Sequence, residues 1–215
     1  MSLLYPVLLL FQLSPGSAIQ DAAKPEPFPD VTEEQDLAAS PARSVTAAFA
    51  GCVAERSPER VRDLLTKDFT KTSFRFALDS LARANNDCFG KVGGRGRLGM
   101  GELPLAAALA EAMIKSDAAP LNVRLARAAA AKEAPTYSLS DKVAMCVVRS
   151  VPDDVARLFA TDVATPEETQ AATALAPVVT ACARVAHTPP IQADAFGLRS
   201  IVASAAFRLL AAQES

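Results

Sequence analysis

The sequence has one histidine, no tryptophan and two tyrosines among its 215 residues. A Ser-His-Asp or Cys-His mechanism would have to use His187, yet no Gly-x-Ser-x-Gly elbow accompanies it. The neighbouring Thr188-Pro189-Pro190 places His187 on an exposed turn. Zinc sites draw on clusters of cysteine and histidine, which a chain with one histidine supplies poorly. We therefore assign no catalytic residue, metal ligand or cofactor site from the sequence.

The chain also lacks a strong charge of either sign and lacks clear strand patterns. Its 22 basic and 24 acidic residues give a net charge of −2, and no segment is basic enough to predict a nucleic-acid partner. The best strand candidate, residues 121–125, leads directly into alanine-rich sequence. We predict a connecting helix there, and an all-α fold for the whole chain.

The four cysteines reveal an internal repeat. Cys52 and Cys88 lie 36 residues apart, as do Cys146 and Cys182, and the two pairs are offset by 94 residues. Other identities keep this register, among them Pro58 with Pro152, Val61 with Val155, Leu64 with Leu158, Asp68 with Asp162, and Leu81-Ala82 with Leu175-Ala176. After a one-residue deletion, Leu105 pairs with Leu198 and Ala110 with Ala203. These matches predict a tandem duplication.

The repeat also predicts how the cysteines pair. Four cysteines allow three pairings, and only Cys52–Cys88 with Cys146–Cys182 gives each repeat its own bond. Closing a loop of this length stabilises the fold by about 4 kcal/mol on the chain-entropy model. The alternative is four buried, reduced thiols.

The N-terminal residues predict export. Residues 1–18 combine a short apolar run, Leu3–Phe11, with the small residues Gly16 and Ala18 at the positions that a signal peptidase recognises. The run is too short to span a bilayer, and the alternative is an apolar helix packed on the domain. Residues 19–43 are acidic and contain four prolines, which predicts a disordered tether. We expect a periplasmic or secreted protein without a transmembrane span in its mature form.

The remaining chain divides into repeat 1 (residues 44–116), a connector (117–137) and repeat 2 (138–215). Each repeat is predicted to be a four-helix unit closed by one disulfide, with apolar residues at helical spacing. Ser57-Pro58 and Thr165-Pro166 are typical helix starts, and Pro177 is expected to kink the third helix of repeat 2. A unit of this size has a marginal core, which favours a shared interface between the repeats.

One loop is a candidate for binding an anion. Residues 94–99 spell the Gly-x-Gly-x-x-Gly pattern, but a helix precedes it, whereas a dinucleotide site needs a strand there. The same loop places Lys91, Arg95 and Arg97 among glycines before a helix, where cations and backbone N–H groups can hold a phosphate or carboxylate. The alternative is a solvated connector between helices.

The pattern of repeat 2 resembles a group of exported alphaproteobacterial proteins that has no established activity. The matching stretches are Cys146-Val147-Val148, Cys182 and Gly197-Leu198-Arg199. Repeat 1 departs from them with Cys52-Val53-Ala54 and Pro104-Leu105-Ala106. The resemblance covers residues 44–215 and implies the helical fold and the exported location, but it implies no activity.

Two functions remain open from the sequence. The first is a non-catalytic exported protein that binds another protein or an anionic cell-envelope component. The second is a hydrolase of envelope material whose carboxylates the sequence cannot pair; Asp68 and Asp162 are better explained as caps of the following turn or helix. A deep pocket with converging charges would favour the enzyme, and an exposed apolar patch on a convex surface would favour the binding protein.

Overall fold

A computed structural model describes residues 33–92 and 101–213, with side chains from residue 41 onwards. Within these ranges the backbone forms ten helices and no strand, which confirms the all-α prediction. The helices are α1 (Glu33–Arg56), α2 (Pro58–Leu65), α3 (Thr72–Ala84), α4 (Asn86–Lys91), α5 (Glu102–Lys115), α6 (Leu121–Ala129), α7 (Leu139–Ser150), α8 (Pro152–Ala160), α9 (Pro166–Val185) and α10 (Ala195–Ala211). None of them is long and apolar enough to cross a bilayer.

The helix boundaries follow the register of the repeat. We call α1–α5 half 1 and α7–α10 half 2. At the offset of 94, the outer ends of α3 and α4, Thr72 and Lys91, correspond to the two ends of α9. Helices α2 and α8 both begin at a proline, which suits the first helical position because proline lacks an N–H. Helix α6 occupies the connector.

Both predicted disulfides are present. Cys52–Cys88 joins α1 to α4 with a Cα–Cα distance of 5.7 Å, and Cys146–Cys182 joins α7 to α9 at 5.8 Å. Since each bond starts and ends within one half, noncovalent contacts and the connecting chain, rather than a disulfide, hold the halves together. Helices α5 and α10 make the most extensive helix–helix contact in the described part of the chain. Around this pair, α1 and α2 pack on α5, while α7 and α9 pack on α10.

The core is built from apolar stripes at helical spacing. In half 1 the stripe of α2 buries Val61, Leu64 and Leu65, and in half 2 the stripe of α8 buries Val155, Leu158 and Phe159. Alanines fill the helix crossings, with Ala110, Ala205 and Ala206 fully buried between larger neighbours. Because alanine lets helices approach closely, the two halves form one continuous core.

The halves differ in their third helix. In half 2, α9 continues through Pro177, where the sequence predicts a kink. Pro177 is exposed, so water can satisfy the carbonyl group that loses its helical partner. In half 1 the equivalent stretch is interrupted at Asn85, whose buried side chain donates to the Leu81 carbonyl group. The oxygen of that side chain pairs with Ser57, which therefore occupies the predicted N-cap position of α2 without making a capping bond.

Helix α1 begins before the boundary that we predicted at residue 44. It includes residues 33–43, the C-terminal part of the segment assigned to the tether. The sequence of residues 33–43 contains three alanines, and alanine has the highest helix propensity. The remaining part of the predicted tether, residues 19–32, and the predicted signal, residues 1–18, lie outside the described residues.

Candidate functional site

A cleft of about 800 Å³ lies where α1, α5 and α10 meet. Helices α1 and α10 both pack on α5, so α5 forms the floor and the other two helices form the walls. Small side chains make most of the surface: Ala47, Gly51 and Ala54 from α1, Ala107, Ala108 and Ala112 from α5, and Ala203 from α10. The cleft is mostly apolar because these positions carry no large or polar group.

Charged side chains converge at one end of the cleft. The centre is Arg199 of α10, whose side chain is 4% exposed. It holds Glu111 of α5 with two parallel bonds, from Nε to Oε2 at 2.8 Å and from Nη2 to Oε1 at 2.6 Å. It also donates to the Thr161 hydroxyl and carbonyl groups, both at 3.0 Å, and to Glu168 at 3.3 Å. This bidentate geometry fixes α5 against α10.

Glu168 links this arrangement to α1. Its carboxylate accepts a 2.6 Å bond from Arg43 and a 2.8 Å bond from the Ala164 N–H, and its side chain is 1% exposed. Ala164 has a positive φ of 60°, an uncommon conformation for a residue with a Cβ, and the bond to Glu168 helps to hold it. Lys115 adds a 2.7 Å ion pair to Glu111. We call Arg43, Glu111, Lys115, Glu168 and Arg199 the ion cluster.

The ion cluster favours the charged forms of Glu111 and Arg199. Burial alone would raise the pKa of Glu111, but the hydrogen bonds and charge of Arg199, aided by Lys115, outweigh it and lower that pKa. Burial likewise opposes the charge on Arg199, yet Glu111 and Glu168 raise its pKa above the ordinary value. A carboxylate held ionised in this way cannot donate a proton at neutral pH, so Glu111 suits binding and structure better than general-acid catalysis.

A second buried pair joins Asp141 of α7 to Arg208 of α10. The Asp141 carboxylate also accepts from the Tyr137 N–H, and Arg208 lies 5.4 Å from the Phe69 ring and 5.5 Å from the Tyr137 ring. Burial outweighs pairing here, because it raises the pKa of Asp141 and lowers the pKa of Arg208. Both residues line a smaller hollow of about 160 Å³. The pair therefore orders the core of half 2 at an electrostatic cost.

The roles of these charges are not evident from the sequence. Glu168 lies in the first turn of α9, the helix start that Thr165-Pro166 predicts, and its N–H donates to the capping Thr165 hydroxyl group. Arg199 entered only as part of the Gly-Leu-Arg stretch. A usable signal lies in the repeat itself. The buried charges Asp141, Glu168, Arg199 and Arg208 replace Ala47, Phe74, Ala106 and Lys115 of half 1.

The predicted anion loop is only marginally described. Lys91 is exposed in the last turn of α4, while Arg95 and Arg97 lie outside the described residues. Where the loop ends, Gly101 occupies the N-cap position of α5 and lines the cleft. The anion-binding role of this loop stays a prediction.

His187 and Asp68 have local structural roles. His187 is exposed, as predicted, and ends α9 in a left-handed conformation with φ of 54°. The His187 and Thr188 N–H groups bond to the carbonyl groups of Arg184 and Ala183, which is the Schellman pattern of helix termination. Asp68 accepts from the hydroxyl and N–H groups of Thr70, which lowers its pKa and closes a turn, as expected.

Two general comparisons complete the description of the site. In the ranges 33–92 and 101–213, no group of three or more histidine, cysteine or acidic side chains is arranged to hold a metal ion. No protein-family model, curated protein or solved structure matches this chain.

Proposed function

We propose that this protein is a non-catalytic, exported binding protein that holds a cell-envelope component in the cleft between α1 and α10. The observation that carries the proposal is the cleft itself, about 800 Å³ in volume, apolar along its length and charged at one end. Ligand sites of proteins have this character, a mostly apolar concavity with a few converging polar groups.

The charged end of the cleft supports binding over hydrolysis. A pocket with converging acids and arginines is what we expected of a hydrolase. Here, however, Glu168 is buried behind Arg43 and Arg199, and Glu111 is held ionised by Arg199 and Lys115. Hydrolysis of envelope material by paired carboxylates needs one acid that is protonated and reaches the substrate. Neither carboxylate of the ion cluster meets this requirement.

Export and duplication are part of the same proposal. Two disulfides are compatible with an oxidising compartment outside the cytoplasm, and we propose that a signal peptide ending near Ala18 directs the chain there. We also propose that the halves descend from one duplicated four-helix unit, a view supported by the shared helix boundaries and disulfide positions. Sequencing the N-terminus of the natural protein tests the first point, and an intact Met1 would refute it.

Capture from envelope extract tests the binding function. The mature, oxidised protein is immobilised beside a Gly51→Leu variant and a Gly90→Leu variant. A Cβ at either glycine has no neighbour within 4 Å, so each position is open where the side chain begins, but only Gly51 lines the cleft. We expect a captured component that Gly51→Leu loses and Gly90→Leu retains. Capture that is indifferent to Gly51→Leu, or no capture at all, would contradict the proposed function.

A further inference from the structure

The ion cluster has more positive than negative charge. It contains three cations, Arg43, Lys115 and Arg199, against the carboxylates Glu111 and Glu168. Arg199 is enclosed and uses its nitrogens on Glu111, Glu168 and the Thr161 region. The cluster therefore has one unmatched positive charge, which a single negative charge from a ligand would neutralise.

Arg43 faces the cleft with donors to spare, and its planar guanidinium group suits a carboxylate better than the ammonium group of Lys115 does. Its side chain is 16% exposed, lines the cleft and stacks on the Phe196 ring at 4.4 Å. The ion pair to Glu168 uses the Nη2 nitrogen, and the buried Nε has no hydrogen-bond partner. A guanidinium group offers five donors, so Arg43 can hold a carboxylate while it keeps Glu168.

The opposite end of the cleft has the opposite charge. Glu55 lies twelve residues along α1 from Arg43, about 18 Å at the rise of an α-helix. Between them α1 presents Ala47, Gly51 and Ala54. The hydroxyl groups near the cleft already donate within their own helices, Thr46 to the Ala42 carbonyl group and Ser200 to the Phe196 carbonyl group. The cleft is thus an apolar furrow that favours an anion at the Arg43 end and disfavours one at the Glu55 end.

From this polarity we propose that the cleft binds a single-chain alkyl carboxylate, with the carboxylate on Arg43 and the chain along the alanines of α1 and α5. This proposal rests on the proposed function and names the chemistry of its ligand. The alkyl chain of the ligand contributes because it leaves water, and the affinity rises about fourfold for each methylene group that is buried. The carboxylate contributes a charge-assisted hydrogen bond, which sets the direction of the chain.

Calorimetric titration of the full mature, oxidised protein with decanoate, dodecanoate and dodecanol tests this proposal. We expect one dodecanoate per chain, and about 16-fold tighter binding for dodecanoate than for decanoate, from two methylene groups. Arg43→Gln should weaken dodecanoate binding about tenfold or more and leave dodecanol unchanged. Because dodecanol needs only the apolar furrow, its binding also shows that the variant is folded. Equal affinity of the variant and the unchanged protein for dodecanoate would overturn the assignment of the carboxylate.

The two glycine variants separate this inference from the proposed function. Gly51→Leu should abolish dodecanoate binding, and Gly90→Leu should preserve it. Dodecanoate binding that survives Gly51→Leu would mean adsorption elsewhere and would overturn the inference. If neither fatty acid binds but envelope extract still yields a component that is sensitive to Gly51→Leu, the inference fails and the binding function stands.

Discussion

Half 1 and half 2 place their disulfides and most of their helices at corresponding positions but differ in what lies inside them. In half 2 the core encloses Glu168, Arg199 and the Asp141–Arg208 pair, whereas the equivalent positions of half 1 carry Phe74, Ala106, Ala47 and Lys115. The same arrangement of helices thus accommodates mostly apolar residues at these positions in half 1 and charged residues in half 2. The difference teaches that this helix arrangement is set by apolar spacing, since it persists when Ala47, Phe74 and Ala106 of half 1 are matched by charged residues in half 2.

The charged interior makes half 2 sensitive to single changes. Arg199→Met leaves Glu111 and Glu168 without their shared cation, and we expect a loss of about 3–5 kcal/mol in the free energy of unfolding. Urea denaturation at neutral pH under oxidising conditions measures it. Lys115→Gln is the matched control, because Lys115 is half-exposed and its ion pair contributes about 1 kcal/mol or less. A loss below about 1 kcal/mol for Arg199→Met would show that the ion cluster does not anchor the halves.

We expect the two disulfides to contribute equally to stability, although the cores of the two halves differ. Replacing Cys52 and Cys88 with alanine, or Cys146 and Cys182, opens loops of the same length. We expect each double variant to lose about 2–4 kcal/mol, and the two losses to agree within about 1 kcal/mol. Denaturation of both variants side by side measures this. A large inequality would mean that one unfolded half retains structure that the other lacks.

Acid should weaken the link between the halves. The pKa of Glu111 in the folded protein lies below its ordinary value of 4.5, so its contribution is present above pH 4.5 and is lost as the pH falls through the folded value. Glu111→Gln should therefore cost about 1–3 kcal/mol at neutral pH, and the cost should shrink below pH 4.5. Stability curves of both proteins across this range measure it.

The pKa of Asp141, in half 2, shifts in the opposite direction from the pKa of Glu111. Burial raises the pKa of Asp141 in the folded protein above the ordinary value of 3.8. Its titration therefore favours the folded state at low pH and opposes it as the pH rises through the folded pKa.

For the Glu111→Gln variant, a cost that grows rather than shrinks on acidification would contradict the assigned direction of the Glu111 pKa shift.

The smallest expected effect is a gain. Gly51→Ala adds a methyl group to open space inside α1 and should stabilise the protein by about 0.5–1 kcal/mol, because glycine is a poor helix former. Thermal unfolding measures the gain. Gly197→Ala is the contrasting variant, since its Cβ would meet the Asp194 carboxylate at 3.1 Å, where Asp194 caps α10. Equal effects at the two positions would show that the space beside Gly51 is not open.

The fold was accessible from the sequence because its signals are local or repeated. Apolar residues at helical spacing located α2 and α8, and the equal spacing of Cys52–Cys88 and Cys146–Cys182 selected the disulfides. The start of α1 was missed because residues 33–43 show no apolar period to extend a helix into. The interruption at Asn85 depends on its bonds to Ser57 and Leu81, which sequence spacing does not reveal.

The residues of the site could not be predicted from the sequence in the same way. Glu168 and Arg43 are 125 residues apart in sequence, and Arg199 and Glu111 are 88 apart, so no local pattern joins them. Their meeting depends on how α5 and α10 cross. The alanines of the cleft do not indicate a site in the sequence either, because alanine suits both a close helix crossing and the wall of an open cleft. Only the mismatch between residues that the proposed repeat aligns, such as Ala106 and Arg199, marks these positions in advance.

The placement of the two disulfides has a consequence for how the molecule comes apart. Each closes a loop inside its own half, and no cysteine remains to bridge α5 and α10. Covalent topology therefore leaves the relative rotation of the halves unrestrained beyond the connecting chain. Since the cleft has α1 of half 1 as one wall and α10 of half 2 as the other, a change in the distance between the halves would change its width without straining either disulfide. The cleft therefore lies along the boundary between the two halves, and separating the halves would also open the cleft.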